Sequence, residues 1–583
     1  MVDHLSQASG ATDVLLDRIQ RHLAVIYPEA DAELAERLFA AMRFDDDIVS
    51  PDPHENRWDE AEVIVITYAN TVVRDGEAPL HTLQTFLDNH LQGTITDVHI
   101  LPFFPYSSDD GFSVLNYRQV NESMGTWDDI EAIASEYRLM SDLVLNHCSA
   151  RSEWFEQFKR NEAPGKDYFF TVSQDADISQ VIRPRTNPLL QAIETAGGQR
   201  HVWCTFSYDQ VDLDFSNPDL LLEMVEIIAF YLERGVRIFR LDAVAFLWKV
   251  PGTTCLNLPQ THEIVRLLRT LVEHREPEAL IITETNIPNR ENLAYFGNAN
   301  EAHVIYNFAL PPLLLHAMVT GNDHYLRNWL MSMPPAQDGT TYLNFIASHD
   351  GIGLRPVEGI LTEQETEQLL STMQSFGGRI SWRNLSDDEV RPYEINISLF
   401  SAMQGTVDGP DQWQVERFLC AHTVMCALEG IPAIYLHSFT ATENDQVKLD
   451  ATGNNRAINR HVWDEQDLRT KLTDSNSINA RVLAGLKEML AIRKAQPAFH
   501  PNATQYTLHL GEGLFCFWRQ SRRREQSIFC IHNMTKTEIE FALGDLNLVD
   551  TDSWYDLFTR RSYQNLRDYV ELKPYQCIWI TNR

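Results

Sequence analysis

Short apolar runs recur along the chain from residue 62 onward, and longer stretches with the apolar spacing of amphipathic helices separate them. This alternation predicts parallel β-strands joined by crossover helices, because strands buried on both faces are continuously apolar. Eight such runs predict an α/β fold in which the strands close into a (β/α)8 barrel, a TIM barrel. The predicted strands are residues 63–68, 98–102, 141–146, 236–242, 280–284, 304–308, 342–348 and 432–436.

Several segments do not fit the strand–helix repeat and predict additional domains. The N-terminal segment has helical spacing, and the C-terminal segment has the alternating pattern of antiparallel strands. Two connections are too long to be simple loops, and long insertions at one rim of a barrel usually build the substrate pocket. The predicted boundaries are 1–61 for an N-terminal helical extension, 62–147 and 210–503 for the barrel, 148–209 and 351–415 for the insertions, and 504–583 for a C-terminal antiparallel β domain.

The chain is strongly acidic, with 82 Asp and Glu against 48 Lys and Arg and a formal net charge of -34. Such a surface repels nucleic acid and anionic membranes, so neither is an expected partner. The sequence contains no apolar run near 18 residues, no secretory signal and no CxxC pair among its eight cysteines, which predicts a cytoplasmic protein with reduced thiols. No glycine-rich nucleotide loop appears, so no cofactor is expected. We expect a monomer or a homodimer.

Charged side chains stand at the carboxyl ends of several predicted strands. Asp242, Glu284 and Asp350 end or follow the fourth, fifth and seventh runs, and Asn146-His147 ends the third. Barrel enzymes build their active sites from these strand ends and the loops that follow them. The three carboxylates are therefore expected to meet at one mouth of the barrel.

This set of carboxylates suits retaining glycosyl transfer, in which a nucleophile and a general acid/base lie about 5–5.5 Å apart. Neighbouring strands are spaced at about 4.8 Å, so Asp242 as nucleophile and Glu284 as acid/base satisfy this requirement. Arg240 faces the same side of its strand and is expected to keep Asp242 ionised. Burial is expected to keep Glu284 protonated. Asp350 is expected to bind sugar hydroxyls and to stabilise the transition state.

The motifs that carry these residues resemble the signature regions of glycoside hydrolase family 13, the α-amylase family. They are Asp142-x-Val-x-Asn-His147, Arg240-x-Asp242, Glu284 and His349-Asp350. Further motifs are similar to those of the sucrose phosphorylase-like branch of the family. These are residues 105–113, Arg183-Pro-Arg185, His349-Asp-Gly-Ile-Gly353 and Asn454-Asn-Arg456.

The resemblance implies a pocket that accepts one terminal glucosyl unit. Asp109 and Arg456 would close this pocket by holding the 4-hydroxyl, and Phe112 would pack against the sugar ring. The residues implied to bind the other hydroxyls are His147, Gln210 and His349. No metal site is expected, although amylases of the family often bind calcium near the position of Asn146.

The implied reaction is phosphorolysis by double displacement, with a sugar substrate and inorganic phosphate as partners. Asp242 would form a β-glucosyl ester, and phosphate would release α-glucose 1-phosphate from it. Arg185 is the candidate phosphate ligand by motif position and charge, and its alternative role is a loop salt bridge.

Four positions that are expected to face the acceptor depart from sucrose phosphorylases: Phe246 and the candidate acceptor ligands Asn286, Arg355 and Glu358. We predict 2-O-α-D-glucosylglycerol as the substrate, because the acidic composition suits a salt-rich cytoplasm in which that osmolyte is used. Glucosylglycerate is the first alternative, since Arg355 could bind its carboxylate, and sucrose is another. An α-glucoside hydrolase, a transglucosidase and an inactive binding protein are the further alternatives.

Overall fold

The computed structural model describes residues 2–29, 33–44, 48, 50–384, 390–549, 553–565 and 567–583. In this described part of the chain, eight parallel strands close into one barrel, which confirms the predicted fold. The strands follow one another around the barrel in chain order, and the eighth pairs with the first. We number them β1 to β8: Ile64–Thr67, Asp97–Ile100, Arg138–Val144, Val236–Asp242, Leu280–Thr283, Val304–Tyr306, Thr341–Asn344 and Ile431–Tyr435.

Helices connect successive strands and cover the outside of the barrel. Each places apolar side chains against the sheet, and the strands are almost entirely buried, as expected for a parallel sheet covered on both faces. The main barrel helices are Pro79–His90, Trp127–Glu136, Pro218–Glu233, Pro259–Arg275, Leu310–Thr320, His324–Ser332, Gln414–Ala427 and Ile478–Lys494. A short helix, Asn289–Asn292, and a 3-10 turn, Leu293–Phe296, follow β5.

Two of the differences between the predicted and observed strand ends affect candidate residues. β7 ends at Asn344, so His349 and Asp350 lie in the following loop and not at the strand end. β3 ends at Val144, and His147 belongs to a separate short strand, His147–Ser149, which pairs with Gln210–Asp212. This antiparallel pair joins the two ends of the first insertion at the barrel mouth.

Two N-terminal helices, Val2–Ile26 and Glu33–Met42, pack against the barrel helices Pro218–Glu233 and Pro259–Arg275. Their buried side chains extend the main hydrophobic core. Residues 31 and 32, which the sequence assigns to the second helix, lie outside the described residues. The two helices therefore add to the outer layer of the barrel, and none of their described residues lines the cavity at the barrel mouth that is described below.

Two insertions rise from the barrel mouth. The first contains one helix and a three-stranded antiparallel sheet: Glu153–Arg160, Thr171–Val172, Leu190–Thr195 and Gly198–Trp203. The second contains a helix and an antiparallel hairpin whose strands are partly described: Ile352–Gly353, Glu363–Ser375, Arg379–Asn384 and Val390–Asn396. Three short helices carry candidate residues: Asp109–Gly111, Arg355–Val357 and Asn455–Asn459. The other short helices of this part of the chain are Leu399–Ala402, Leu436–Phe439, Gln446–Thr452 and Glu465–Thr473.

The C-terminal segment is antiparallel, as the alternating pattern predicts. Its described residues form a six-stranded sheet made of Thr504–Leu508, Leu514–Gln520, Ser527–Asn533, Cys577–Thr581, Trp554–Asp556 and Ser562–Tyr563. Ile539–Ala542 and Tyr569–Leu572 form a separate pair. Among the described residues of the whole chain, no helix combines the length and the apolar character needed to cross a bilayer.

Candidate functional site

A cavity of about 960 Å³, including its open mouth, lies at the carboxyl ends of the barrel strands and between the two insertions. Most of the residues singled out from the sequence line it. They are Asp109, Phe112, His147, Arg185, Gln210, Asp242, Glu284, Asn286, His349, Asp350, Arg355 and Arg456. Arg240 lies beneath the cavity floor and Glu358 lies outside the lining residues.

The floor of the cavity is organised by the buried guanidinium of Arg240. Its Nη1 donates to Asp242 at 2.8 Å and also to Asp142, and its Nη2 lies 3.9 Å from Glu284. Asp142 is held on its other side by His99, at 2.7 Å. β4 pairs with β3 so that Arg240 faces Asp142, and with β5 so that Leu241 faces Thr283. The strand register therefore brings Asp242 and Glu284 to one charge cluster.

Burial raises the pKa of both Asp242 and Glu284, and the repulsion between neighbouring carboxylates adds to this increase. Arg240 lowers the pKa of Asp242, in the expected direction, but desolvation is the larger effect and the net pKa is raised. Arg240 nevertheless hydrogen-bonds Asp242 and stands farther from Glu284. This asymmetry favours the negative charge on Asp242 and the shared proton on Glu284.

Asp350 lies in the loop after β7, close to the guanidinium groups of Arg456 and Arg460. Its Oδ1 lies 2.6 Å from Nη1 of Arg456 and 3.8 Å from Nη2 of Arg460. Burial raises the pKa of Asp350, but these arginines outweigh burial and hold the pKa below its usual range. Asp350 is therefore ionised at neutral pH.

The donor end of the cavity has a continuous wall of ring and amide groups. Phe112 stacks on His349 with 5.0 Å between ring centroids, and Nε2 of His147 lies 3.0 Å from the Phe112 carbonyl. Gln210 donates to Asp109 at 3.2 Å. Burial lowers the pKa of both histidines, so both are neutral. This wall has the mixed apolar and polar character that a sugar ring requires.

Two polar residues of the cavity lining that were not identified from the sequence lie on one strand of the second insertion. Tyr393 and Glu394 lie on the strand Val390–Asn396 of the second insertion and face the cavity from above. Glu394 accepts hydrogen bonds from Nε and Nη2 of Arg456, at 2.9 and 3.0 Å. Their strand lies within a long insertion whose position over the barrel the local pattern does not indicate.

Arg185 and Arg355, both predicted from the sequence to lie on the acceptor side, line the cavity. Neither forms an ion pair with a carboxylate in the described part of the chain. The guanidinium of Arg185 stacks over Tyr393 and Phe206, at 5.2 and 5.7 Å from the ring centroids. Arg355 is only 8% exposed. Burial and the nearby Arg383 lower the pKa of Arg355, as expected for a cation without a close counter-ion.

The other two predicted acceptor residues behave differently from one another. Glu358 pairs with Arg383 at 2.7 Å, so this carboxylate is directed away from the cavity lining. Asn286 lines the cavity, and its buried Oδ1 has no partner among the described residues. A Cβ at Gly353 would lie 2.7 Å from the Asn286 amide nitrogen, so this close approach requires glycine.

Lys249 lies beside Asn146, the position near which amylases of the family often bind calcium. Lys249 Nζ lies 3.0 Å from both the Asn146 side-chain oxygen and Asp212 Oδ2. The positive charge at this point is therefore supplied by the chain itself. Among the described residues, no group of three or more His, Cys, Asp or Glu side chains is arranged to hold a metal ion.

Comparison with known proteins agrees with this geometry. Residues 90–350 match the family model "Alpha amylase, catalytic domain". The chain is 41% identical to a glucosylglycerate phosphorylase of Spirochaeta thermophila, over 97% of this chain and 98% of the relative. It is 30% identical to a glucosylglycerol phosphorylase of Marinobacter adhaerens, over 72% and 85% of the two chains.

Among solved structures, the fold is similar to that of sucrose 6F-phosphate phosphorylase from Thermoanaerobacter thermosaccharolyticum. The TM-score is 0.71 at 23% identity, covering 82% of this chain and 94% of the other. The barrel, the convergent carboxylates and these similarities lead to one conclusion: the chain belongs to the α-amylase family, within which it is a glycoside phosphorylase related to the sucrose phosphorylases.

Proposed function

We propose that the protein catalyses the reversible phosphorolysis of glucosylglycerate to α-glucose 1-phosphate and glycerate. The observation that carries this proposal is Arg355, a buried guanidinium that lines the acceptor side and lacks a carboxylate partner among the described residues. A buried cation of this kind is costly unless a ligand supplies the counter-charge. The similarity to glucosylglycerate phosphorylases over nearly the whole chain supports the same substrate.

The number of cations on the acceptor side matches the anions of this reaction. Phosphate and glycerate are both anionic, and Arg185 and Arg355 are both without a carboxylate partner in the described structure. Arg185 is the proposed phosphate ligand, since its planar fork suits phosphate oxygens and two rings hold it in place. Arg355 is the proposed ligand of the glycerate carboxylate.

The expectation of glucosylglycerol rested on the acidic composition of the whole chain, which does not describe the acceptor site. Glycerol carries no charge and would leave Arg355 without a counter-ion. Glycerol as acceptor therefore stays a prediction to be tested against glycerate, and the geometry favours glycerate.

The first half of the proposed reaction breaks the glucosidic bond. Asp242 attacks the anomeric carbon while Glu284 donates its proton to the departing oxygen of glycerate. A β-glucosyl ester of Asp242 forms, and glycerate leaves with an intact hydroxyl. Asp350, ionised beside the cavity, stabilises the positive charge that develops on the sugar ring.

The second half transfers the glucosyl group to phosphate. A phosphate hydroxyl gives its proton to Glu284, and its oxygen attacks the anomeric carbon from the face that glycerate has left. The ester bond to Asp242 breaks, and α-glucose 1-phosphate leaves with net retention. Glu284 is then protonated again, as the raised pKa of this buried carboxyl requires.

An acceptor screen with wild-type protein tests the substrate directly. In the synthetic direction, with α-glucose 1-phosphate as donor, we expect phosphate release to be at least about tenfold faster with glycerate than with glycerol, fructose or fructose 6-phosphate, because only glycerate offers Arg355 a carboxylate. Preference for glycerol would favour glucosylglycerol. Release of glucose from glucosylglycerate at full rate without phosphate would instead identify a hydrolase or a transglucosidase.

Replacing Arg355 separates binding of the carboxylate from the chemistry. For Arg355→Gln we expect kcat/KM for glycerate to fall about 10- to 100-fold, the value of one charge-assisted contact, while activity with glycerol changes less than about threefold. The matched control is Arg379→Gln, which removes an exposed arginine from the same insertion and outside the cavity. Equal losses with glycerate and glycerol would contradict the proposed role.

The pH dependence reports the proton on Glu284. Its pKa is raised, so the protonated acid persists above the usual range and is lost as the pH rises through that pKa. We expect kcat/KM for glucosylglycerate to fall along this alkaline limb, and Glu284→Gln to lose about 10²- to 10⁴-fold and to lack the limb. With α-glucosyl fluoride, whose leaving group needs no proton, the loss should be much smaller. An unchanged alkaline limb in the variant would rule out this assignment.

Covalent capture tests the nucleophile. Glu284→Gln treated with α-glucosyl fluoride should accumulate an adduct of one glucosyl unit on the peptide that contains Asp242, since transfer out of the ester is slowed without the base. Asp242→Asn should give no adduct and lose at least about a thousandfold in turnover. Mass spectrometry of the intact and digested protein measures both. An adduct on another carboxylate would show that Asp242 is not the nucleophile.

A further inference from the structure

The hairpin of the second insertion delivers a buried carboxylate to the donor pocket. Glu394 has a side chain that is 4% exposed, and both of its oxygens accept hydrogen bonds from Arg456, at 2.9 and 3.0 Å. Asn396 donates a further hydrogen bond to Glu394 Oε1 at 2.9 Å, which fixes the orientation of the carboxylate. The remaining Arg456 nitrogen, Nη1, faces Asp350 at 2.6 Å.

Arg456 thereby differs from the other two arginines that line the cavity. Glu394 and Asp350 together satisfy its charge, whereas Arg185 and Arg355 have no carboxylate partner among the described residues. The two-nitrogen edge of a guanidinium is the part that best matches a phosphate, and in Arg456 this edge is occupied by Glu394. Free phosphate therefore meets an available guanidinium on the acceptor side and a blocked one on the donor side.

This difference has a consequence for a phosphorylase. Phosphate and the glucosyl unit use the same cavity in turn, and phosphate is present while the donor pocket is empty. A free Arg456 would bind that phosphate in the place of glucose and inhibit the first half-reaction. The same arginine, held in one orientation, can still meet a sugar hydroxyl at the end of the pocket.

We propose that Glu394 is a positioning residue that reserves Arg456 for the glucosyl unit and keeps inorganic phosphate out of the donor pocket. This inference rests on the proposed double displacement but not on the identity of the acceptor. Glu394 touches no reacting atom and acts through Arg456. Its selectivity comes from the bidentate pairing, which a neutral amide reproduces only in part, because one of its two groups is a donor.

The test compares wild type with Glu394→Gln in two measurements. Sulfate, an anion that cannot react, serves as the probe for phosphate, and its inhibition constant is measured against glucosylglycerate. In Glu394→Gln we expect this constant to fall about tenfold and inhibition to be competitive with the donor, since the exposed edge of Arg456 gains a charge-assisted contact. The KM for glucosylglycerate should rise about tenfold, with kcat changed less than about threefold.

Glu394→Asp keeps the charge and shortens the side chain by one methylene. We expect it to restore the sulfate inhibition constant to within about threefold of the wild type, which a purely structural role would not predict. The same variant carries the test if Glu394→Gln does not fold. In that case we expect the sulfate inhibition constant of Glu394→Asp to lie between the wild-type value and a value about tenfold lower.

The matched control is Asp411→Asn, a carboxylate of the same predicted insertion that lies outside the cavity and pairs with the buried Arg417 of the barrel helix Gln414–Ala427. It should lower the melting temperature and leave both KM and the sulfate constant unchanged. A sulfate constant that is unchanged in Glu394→Gln, or that falls equally in Asp411→Asn, overturns the proposal. Failure of the wild type to show phosphate-dependent turnover would instead refute the proposed function.

Discussion

The buried guanidinium of Arg240 is the interaction on which the site depends. It lies between Asp142 on β3 and Asp242 on β4, close to Glu284, and it is almost fully withdrawn from solvent. Three carboxylates at this spacing repel one another in a low-dielectric interior, so the cluster requires one fixed cation. The cation is placed by strand register, since Arg240 and Asp142 face each other in the barrel ladder. The strand register that closes the barrel therefore also sets the charge environment of Asp242 and Glu284.

The arginines that line the cavity above this floor fall into two groups, those with a carboxylate partner and those without one. Arg456 and Arg460 face Asp350, Glu394 and Asp110, so each of these two guanidinium groups has a carboxylate partner. The acceptor-side guanidinium groups lack carboxylate partners in the described structure, although the chain as a whole carries a charge of -34. A neutral sugar suits the first environment and an anion suits the second.

The eight strands were predictable because a strand buried on both faces leaves a continuous apolar run, and β4 has the predicted bounds. The same signal misplaced the end of β7, because Phe345, Ile346 and Ala347 are apolar yet line the cavity beyond the strand. Glu394 was not predictable, since its partner Arg456 lies 62 residues away and the two meet only through the folded insertion. The local sequence pattern identifies side chains on the barrel strands. It does not predict which side chains of the insertions reach the barrel mouth.

Discrimination between glycerate and glycerol illustrates why the acceptor could not be inferred from composition. Glycerate has a carboxylate where glycerol has a hydroxymethyl group. This difference in shape is too small to give strong selectivity by itself. A buried guanidinium changes this balance, because the neutral ligand leaves the charge desolvated and without a partner, whereas the anion satisfies it. Arg355 is 8% exposed and faces the cavity, so its desolvation exists before any acceptor binds. We therefore propose that selectivity for glycerate arises chiefly from the penalty imposed on the uncharged acceptor.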